Sequence, residues 1–345
     1  MLLTMKKLEF GITTFVETVP NPKTGETISQ DVRIQQIIDE IVLAEKVGLS
    51  FYGVGEHHRK EFAASAPAVI LAAAAGLTNT IKLGSSVTVL SSDDPVRVYQ
   101  QFATLNALSH GRAEITAGRG SFIESFPLFG YDLNDYDALF EEKLDLLLHI
   151  RDHEIVSHPG GLRSAIDHLG VYPRTQYPLW ISRGVGGSPE SVLRAAELGI
   201  PLFLAIIGGD PYRFKAYTDL YRKHYLPSKF HPEPYISVHF HGYLTHDKKE
   251  LQSIFYPSIV TLMNTIGRER GWGPYTFESF VHNMSEHGAL FAGTPTEVAG
   301  KINRVMTALG GHRFTMHIPV GFMEQTYVLQ TISLLGTEVR TFFND

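Results

Sequence analysis

The feature that most constrains this chain is an alternation. Short apolar, β-branched runs are followed repeatedly by amphipathic segments, without a low-complexity linker or a shift in composition. Such a pattern defines a parallel sheet, because each strand needs a crossover helix to bring the chain back to the same end. Strand-like runs fall at residues 8–16, 49–55, 81–90, 113–117, 177–182, 201–207, 235–244 and 314–318. Helical patterns fall at 31–47, 67–77, 95–108, 135–149, 189–198, 211–225, 248–266, 295–309 and 324–343. Residues 156–177 are the least regular stretch. Eight strands, each with at least one helix, predict a (β/α)8 TIM barrel. It is read as a single domain over residues 1–345, with an insertion before the last helix–strand unit. A doubly wound sheet is the competing architecture. The barrel is favoured because polar and glycine-rich clusters follow strands two to five, and in a barrel all of these open onto the face that carries active sites.

Local signals support the elements. Val32, Ile37, Ile38, Ile41 and Val42 form the apolar stripe of the first helix, which Gly48 ends. Asp94 is placed to cap a helix whose first turn holds Pro95. The Ala-rich segment at 67–77 suits the closely packed outer ring of a barrel.

Composition removes several classes of function. A chain of 345 residues that is 43% hydrophobic has ample material for one large core. Its net charge of −6, from 30 basic and 36 acidic residues, argues against a nucleic-acid partner. The nearest basic cluster, Arg268–Glu269–Arg270, is interrupted by an acid. With no cysteine there is no disulfide framework, iron–sulfur cluster or thiol nucleophile. Residues 1–10 lead into a strand-like run without an apolar signal segment, and no apolar run is long enough to span a bilayer. The expectation is a cytoplasmic protein without a membrane partner.

Four clusters carry candidate chemistry. Ser182–Arg183–Gly184–Val185–Gly186–Gly187–Ser188–Pro189–Glu190–Ser191 runs from a strand into a helix, a turn that offers backbone N–H groups and hydroxyls to a phosphate. An ordinary helix start with Ser188 as cap explains the same residues. Glu56–His57–His58 ends strand two, where one histidine at most faces a ligand and can exchange a proton near neutral pH. Arg119, within Gly118–Arg119–Gly120 after strand four, suits an anion, with an ion pair to Glu124 or Glu142 as the alternative. His239 and His241 share one strand face, so a metal pair is conceivable, but no third ligand stands at readable spacing and the metal expectation is none. Phe122, Phe126 and Phe129 are candidates to wall the site.

Taken in order, Glu56–His57–His58, Leu83–Gly84–Ser85–Ser86–Val87, Asp94–Pro95–Val96–Arg97, Leu108–Ser109–His110–Gly111–Arg112, Gly118–Arg119–Gly120, Gly186–Gly187–Ser188 and Gly293–Thr294–Pro295 resemble the bacterial luciferase-like flavin monooxygenase family. The resemblance extends over most of the chain. It implies a luciferase-like barrel that binds reduced FMN, or in some relatives the deazaflavin F420, at the carboxyl ends of the strands. It makes His57 the catalytic histidine. It makes Gly186, Gly187, Ser188 and Ser191 the phosphate turn, adds Arg119 as a phosphate ligand, and puts a non-proline cis peptide at Ser86–Val87 beside the cofactor.

The activity implied is a monooxygenase that uses FMN reduced by a separate flavin reductase, together with oxygen, on a small organic substrate such as an aldehyde or ketone. Three readings stay beside it: an F420-dependent dehydrogenase on the same fold, a metal-dependent hydrolase built on His239 and His241, and a non-catalytic flavin-binding protein. A homodimer through helices of the second and third units is also implied. Gly118 stands where the luciferase catalytic subunit has a reactive cysteine, so light emission is not implied. Residues 271–287 fall where relatives carry a mobile active-site loop.

Overall fold

A computed structural model describes residues 8–120 and 122–343 of the chain. The expectation that the chain enters its first strand without a signal segment lies, for residues 1–7, outside the described residues.

The eight expected strands are present: β1 Glu9–Thr14, β2 Phe51–Val54, β3 Lys82–Ser85, β4 Ala113–Gly118, β5 Trp180–Val185, β6 Leu202–Ala205, β7 Ile236–Leu244 and β8 Arg313–His317. Each pairs in parallel with its sequence neighbours, and β1 is hydrogen-bonded to both β2 (Gly11 opposite Phe51) and β8 (Gly11 opposite Thr315). That last pairing closes the sheet, so the doubly wound alternative, which needs two free edges, is excluded. Two residues, Thr88–Val89, carry β3's pairing with β4 further toward the carboxyl end.

At the opposite end the barrel is plugged by charge. Arg313 is 1% exposed, donates to Glu114 at 2.7 and 3.0 Å and to Glu9 at 3.0 Å, and lies over the Phe51 ring. A buried guanidinium needs such paired carboxylates to offset its lost hydration.

The insertion lies where expected, between β7 and the helix Pro295–Leu309. It comprises helices Tyr256–Glu269 and Phe277–Met284 and a strand, Leu290–Gly293. Strand β7 has nine residues because it serves two partners. Its first half pairs with β6 and β8, while His241–Leu244 runs beyond the barrel and pairs with the inserted strand. The irregular stretch before β5 is an antiparallel hairpin, Ile155–His158 with Ile166–Gly170.

One local reading needs adjusting. In the first helix, Gln30–Lys46, Val32 and Val42 are exposed, and the buried face is Ile37, Ile41 and Ala44 with the Arg33–Glu40 pair at 2.7 Å. Arg33 and Glu40 are polar by type but buried as neutralising partners, which shifts the stripe from the one that hydrophobicity marks. Gly48 does end that segment with φ +82°, and Asp94 caps helix Pro95–Leu108 through Val96 N at 2.9 Å. No helix among the described residues is long and apolar enough to cross a membrane.

Candidate active site

The expected site residues gather at the carboxyl ends of β2 to β5. After β2, Glu56 accepts from His58 at 2.8 Å and from the backbone of Val89 at 2.9 Å, pinning this loop to the end of β3. His58 is thereby turned to Glu56 and the edge of Phe129, and His57 to the other side. The His57 ring is boxed by Phe15, Phe62 and Phe122, with centroids 4.4, 4.5 and 5.2 Å away. It has no hydrogen-bond partner among the described residues. Burial, with the nearby His317, His58 and Arg59, lowers its pKa from 6.5 to about 3, so it stands neutral. Of the three phenylalanines, Phe122 lies against His57 and Phe129 against His58, while Phe126 is core, stacked on Tyr136.

The Ser86–Val87 peptide is cis, as the resemblance implies. The hydroxyls of Ser86 and Thr88 are buried and lack a hydrogen-bond partner among the described residues. Buried hydroxyls are ordinarily satisfied, so two orphans side by side mark polar surface awaiting a ligand or ordered water.

The glycine-rich turn opens on a cleft of about 700 Å³ that brings together Arg119, Arg183, Ser188 and Ser191. The Ser188 hydroxyl accepts from Ser191 N at 3.2 Å, so the cap reading holds as well. A Cβ on Gly186 would meet nothing within 4 Å, and one on Gly187 only Phe214 at 3.9 Å, which leaves backbone open to a bound group. Arg119 pairs with Asp137. Neither carboxylate weighed from sequence is its partner: Glu124 is held by Arg59 at 2.9 Å and Glu142 by His158 at 3.3 Å.

Arg183 was missed as a site residue. It is 2% exposed, bound to Glu141 and, at 3.3 Å, to Ser191, and its Nε has no partner among the described residues. Its sequence signal is its place in the strand, three residues before a double glycine; its burial shows only in the fold. Two arginines, two hydroxyls and bare backbone are donors of the kind a phosphate takes, though here Ser188 donates to Glu190 at 2.8 Å and the arginines to Asp137 and Glu141. The whole cleft nevertheless carries three arginines against four carboxylates, Asp137, Glu141, Glu190 and Glu197.

A second polar group lines the barrel mouth across from these. His317, also missed, is bound to Glu17 at 2.7 Å and lies 3.4 Å from the Thr13 hydroxyl, which in turn lies 3.0 Å from His239. His239 and His241 do share the inward face. The third nearby histidine, however, has one nitrogen on Glu17 and the other on Thr13, and no group of three or more potential ligands in metal-holding arrangement occurs among the described residues.

A closed parallel barrel whose polar loops, orphaned hydroxyls and arginine-lined cleft all open at the carboxyl ends of the strands defines an α/β-barrel enzyme. More narrowly, the chain belongs to the luciferase-like monooxygenase family, whose model matches residues 8–325. It is 28% identical over 316 residues to the N-acetyl-S-alkylcysteine monooxygenase of Bacillus subtilis (strain 168), covering 86% of this chain and 89% of that protein. It is 28% identical over 210 residues to a luciferase-like monooxygenase of Escherichia coli (strain K12), covering 58% of each. The match to a Sinorhizobium fredii relative, 30% identical, spans about half the length of that protein (50%).

Among solved structures, the monooxygenase RslO1 from Streptomyces bottropensis shares the fold with a TM-score of 0.81 at 20% identity, covering 97% of this chain and 100% of that one. The oxygenating constituent of a 3,6-diketocamphane monooxygenase of Pseudomonas putida, in complex with FMN, does so at 0.75 and 17%, covering 97% and 98%. An F420-dependent secondary alcohol dehydrogenase does so at 0.70 and 16%, covering 96% and 98%.

Proposed function

We propose that the chain is a cytoplasmic flavin monooxygenase that takes reduced FMN from a separate reductase and oxidises a small organic substrate, such as an aldehyde or ketone, with molecular oxygen. One observation carries this reading: the cleft where Arg119, Arg183, Ser188 and Ser191 converge beside open glycine backbone. Its arginines are paired with carboxylates, Arg183 with Glu141 and Arg119 with Asp137, and further carboxylates rim it. That arrangement favours the single compact phosphate of FMN over F420, whose phosphate continues into a polyanionic tail that the acidic rim would repel.

In this reading Arg119 and Arg183, with the two serines, hold the phosphate. The Ser86–Val87 segment would hold the ring, with the Ser86 and Thr88 hydroxyls available to its polar atoms. Reduced FMN, when bound, supplies the electrons for oxygen activation. His57, neutral in its aromatic box, gives or takes one proton at a ring nitrogen, and Phe15, Phe62 and Phe122 keep water from it.

A homodimer belongs to the same proposal. Val69, Leu77 and Leu108, each more than half exposed, stand on or just after the packed helices Pro67–Ala75 and Pro95–Leu108.

Anaerobic fluorescence titration with FMN and F420, each oxidised and reduced, tests the assignment. Reduced FMN is expected to bind most tightly. Ser188→Ala should weaken it several-fold, and Arg119→Ala or Arg183→Met about tenfold or more, since a charge-assisted contact contributes roughly 1.5–3 kcal/mol. Preference for F420 would replace this reading with the dehydrogenase, and binding of neither would remove both.

A further inference from the structure

Where β7 leaves the barrel, His241 pairs on one side with His317 of β8 and on the other with Leu290 of the inserted strand. Its side chain points into a small cavity between the barrel and the insertion. The cavity is lined by His241, Asn283 and Tyr275 together with the apolar Ile259, Met263 and Leu290. At about 20 Å³ it has room for one water-sized group. His241 is 8% exposed, and its ring has no hydrogen-bond partner among the described residues; its ring neighbours are His317 at 5.2 Å and His239 at 6.2 Å. Asn283 is fixed by a 3.1 Å bond from its amide nitrogen to the Tyr275 hydroxyl. A buried imidazole without a partner costs free energy unless something else supplies the bond.

The chemistry of the lining selects the occupant. No charged side chain lines the cavity among the described residues. Burial, reinforced by His317, lowers the pKa of His241 from 6.5 to about 3. A neutral ring offers one N–H donor and one lone pair. An anion entering here would lose its hydration without a countercharge, whereas a carbonyl or hydroxyl oxygen finds a donor within an otherwise apolar wall.

We propose that His241 and Asn283 form an oxygen-sized subsite that seats the neutral polar group of an otherwise apolar substrate. This rests on the monooxygenase reading for its purpose, but not for its test.

The experiment uses the full chain labelled with ¹⁵N-histidine, titrated with 2-butanone and, in parallel, with butyrate, while imidazole nitrogens are followed by long-range ¹H–¹⁵N correlation. The ketone should shift one set of ring signals, identified as His241 by its disappearance in His241→Phe. Asn283→Ala should weaken the ketone's apparent affinity at least threefold. Met263→Phe, which enlarges a side chain of the lining and so fills the cavity, should abolish the shift while leaving the His241 signal in place. If the ketone leaves that signal unmoved, the cavity holds only water and the proposal fails; it fails equally if butyrate shifts it as strongly. Flavin titration of the same samples separates the two questions, since loss of FMN binding would overturn the assigned function without bearing on the subsite.

Discussion

At the scale of single residues, the top of the barrel is shaped by what two glycines leave out. A Cβ on Gly118 would stand 2.5 Å from Cγ2 of Val87, and one on Gly184 would stand 2.9 Å from its Cγ1. Val87 therefore fills the space between β4 and β5 where, by resemblance, the luciferase catalytic subunit carries a cysteine side chain. Gly118→Ala is expected to destabilise the chain by about 1–3 kcal/mol, the usual penalty for overpacking, read as a fall in the urea midpoint with the slope unchanged. Combining it with Val87→Ala, which vacates the space, should give less than the sum of the two single effects by about 1 kcal/mol. A neutral Gly118→Ala would mean that Val87 moves aside freely and does not define this wall.

At the scale of elements, the cover over His57 is held by one arginine. Arg59 donates to Glu269 at the end of helix Tyr256–Glu269 at 2.6 and 2.7 Å, to Glu124 at 2.9 Å and to Glu61 at 3.3 Å, with its guanidinium over the Phe122 ring. Two loops and a helix end are joined there. Glu269 is about half exposed, so the bond contributes on the order of 0.5–1 kcal/mol. Glu269→Gln should then raise amide exchange two- to fivefold in residues 262–285 and leave the hairpin at 155–170 unchanged, measured by hydrogen–deuterium exchange. Equal exchange in both chains would show that apolar packing holds the insertion closed without Arg59.

The strands and most helices were legible because apolar periodicity reports burial directly. Arg33 and Glu40 in the first helix, and Arg313 under the barrel, were not, because a buried ion pair looks like solvated surface until its partner is located. Helix Phe277–Met284 and the strand Leu290–Gly293 escaped for a related reason: each is short and takes its shape from the neighbour it docks on. His57, Arg119 and the Gly186–Ser191 turn could be read because each follows a strand directly. His317 and Glu17 could not, since 300 residues separate them and only barrel closure brings them to 2.7 Å.

At the scale of the whole molecule, buried histidines make the fold sensitive to acid. His57 and His241 are held at about 3 and His231 at about 4, and His239 also lies well below its usual value, in each case chiefly through burial. Near pH 5 all four are neutral in the folded chain, whereas in the unfolded chain, with ordinary values near 6.5, they are protonated. The unfolded state then binds more protons, so stability is complete above about pH 6.5 and falls as the pH drops toward 4. Asp93 works against this trend. Burial raises its pKa from 3.8 to about 6, so between those values the folded chain holds a proton that the unfolded chain has released. These five groups together contribute an uptake on unfolding near pH 5 of about three protons, four from the histidines less one from Asp93, to which carboxylates with lowered values, such as Glu286, add. Calorimetric Tm and urea-derived stability measured between pH 7.5 and 4.5 should fall with at least that slope, and His241→Phe should reduce the uptake by about one proton. A flat profile from pH 6.5 to 5 would show that enough water enters the fold to let these rings charge while folded, and the dry surroundings of His57 and His241 would be lost with it.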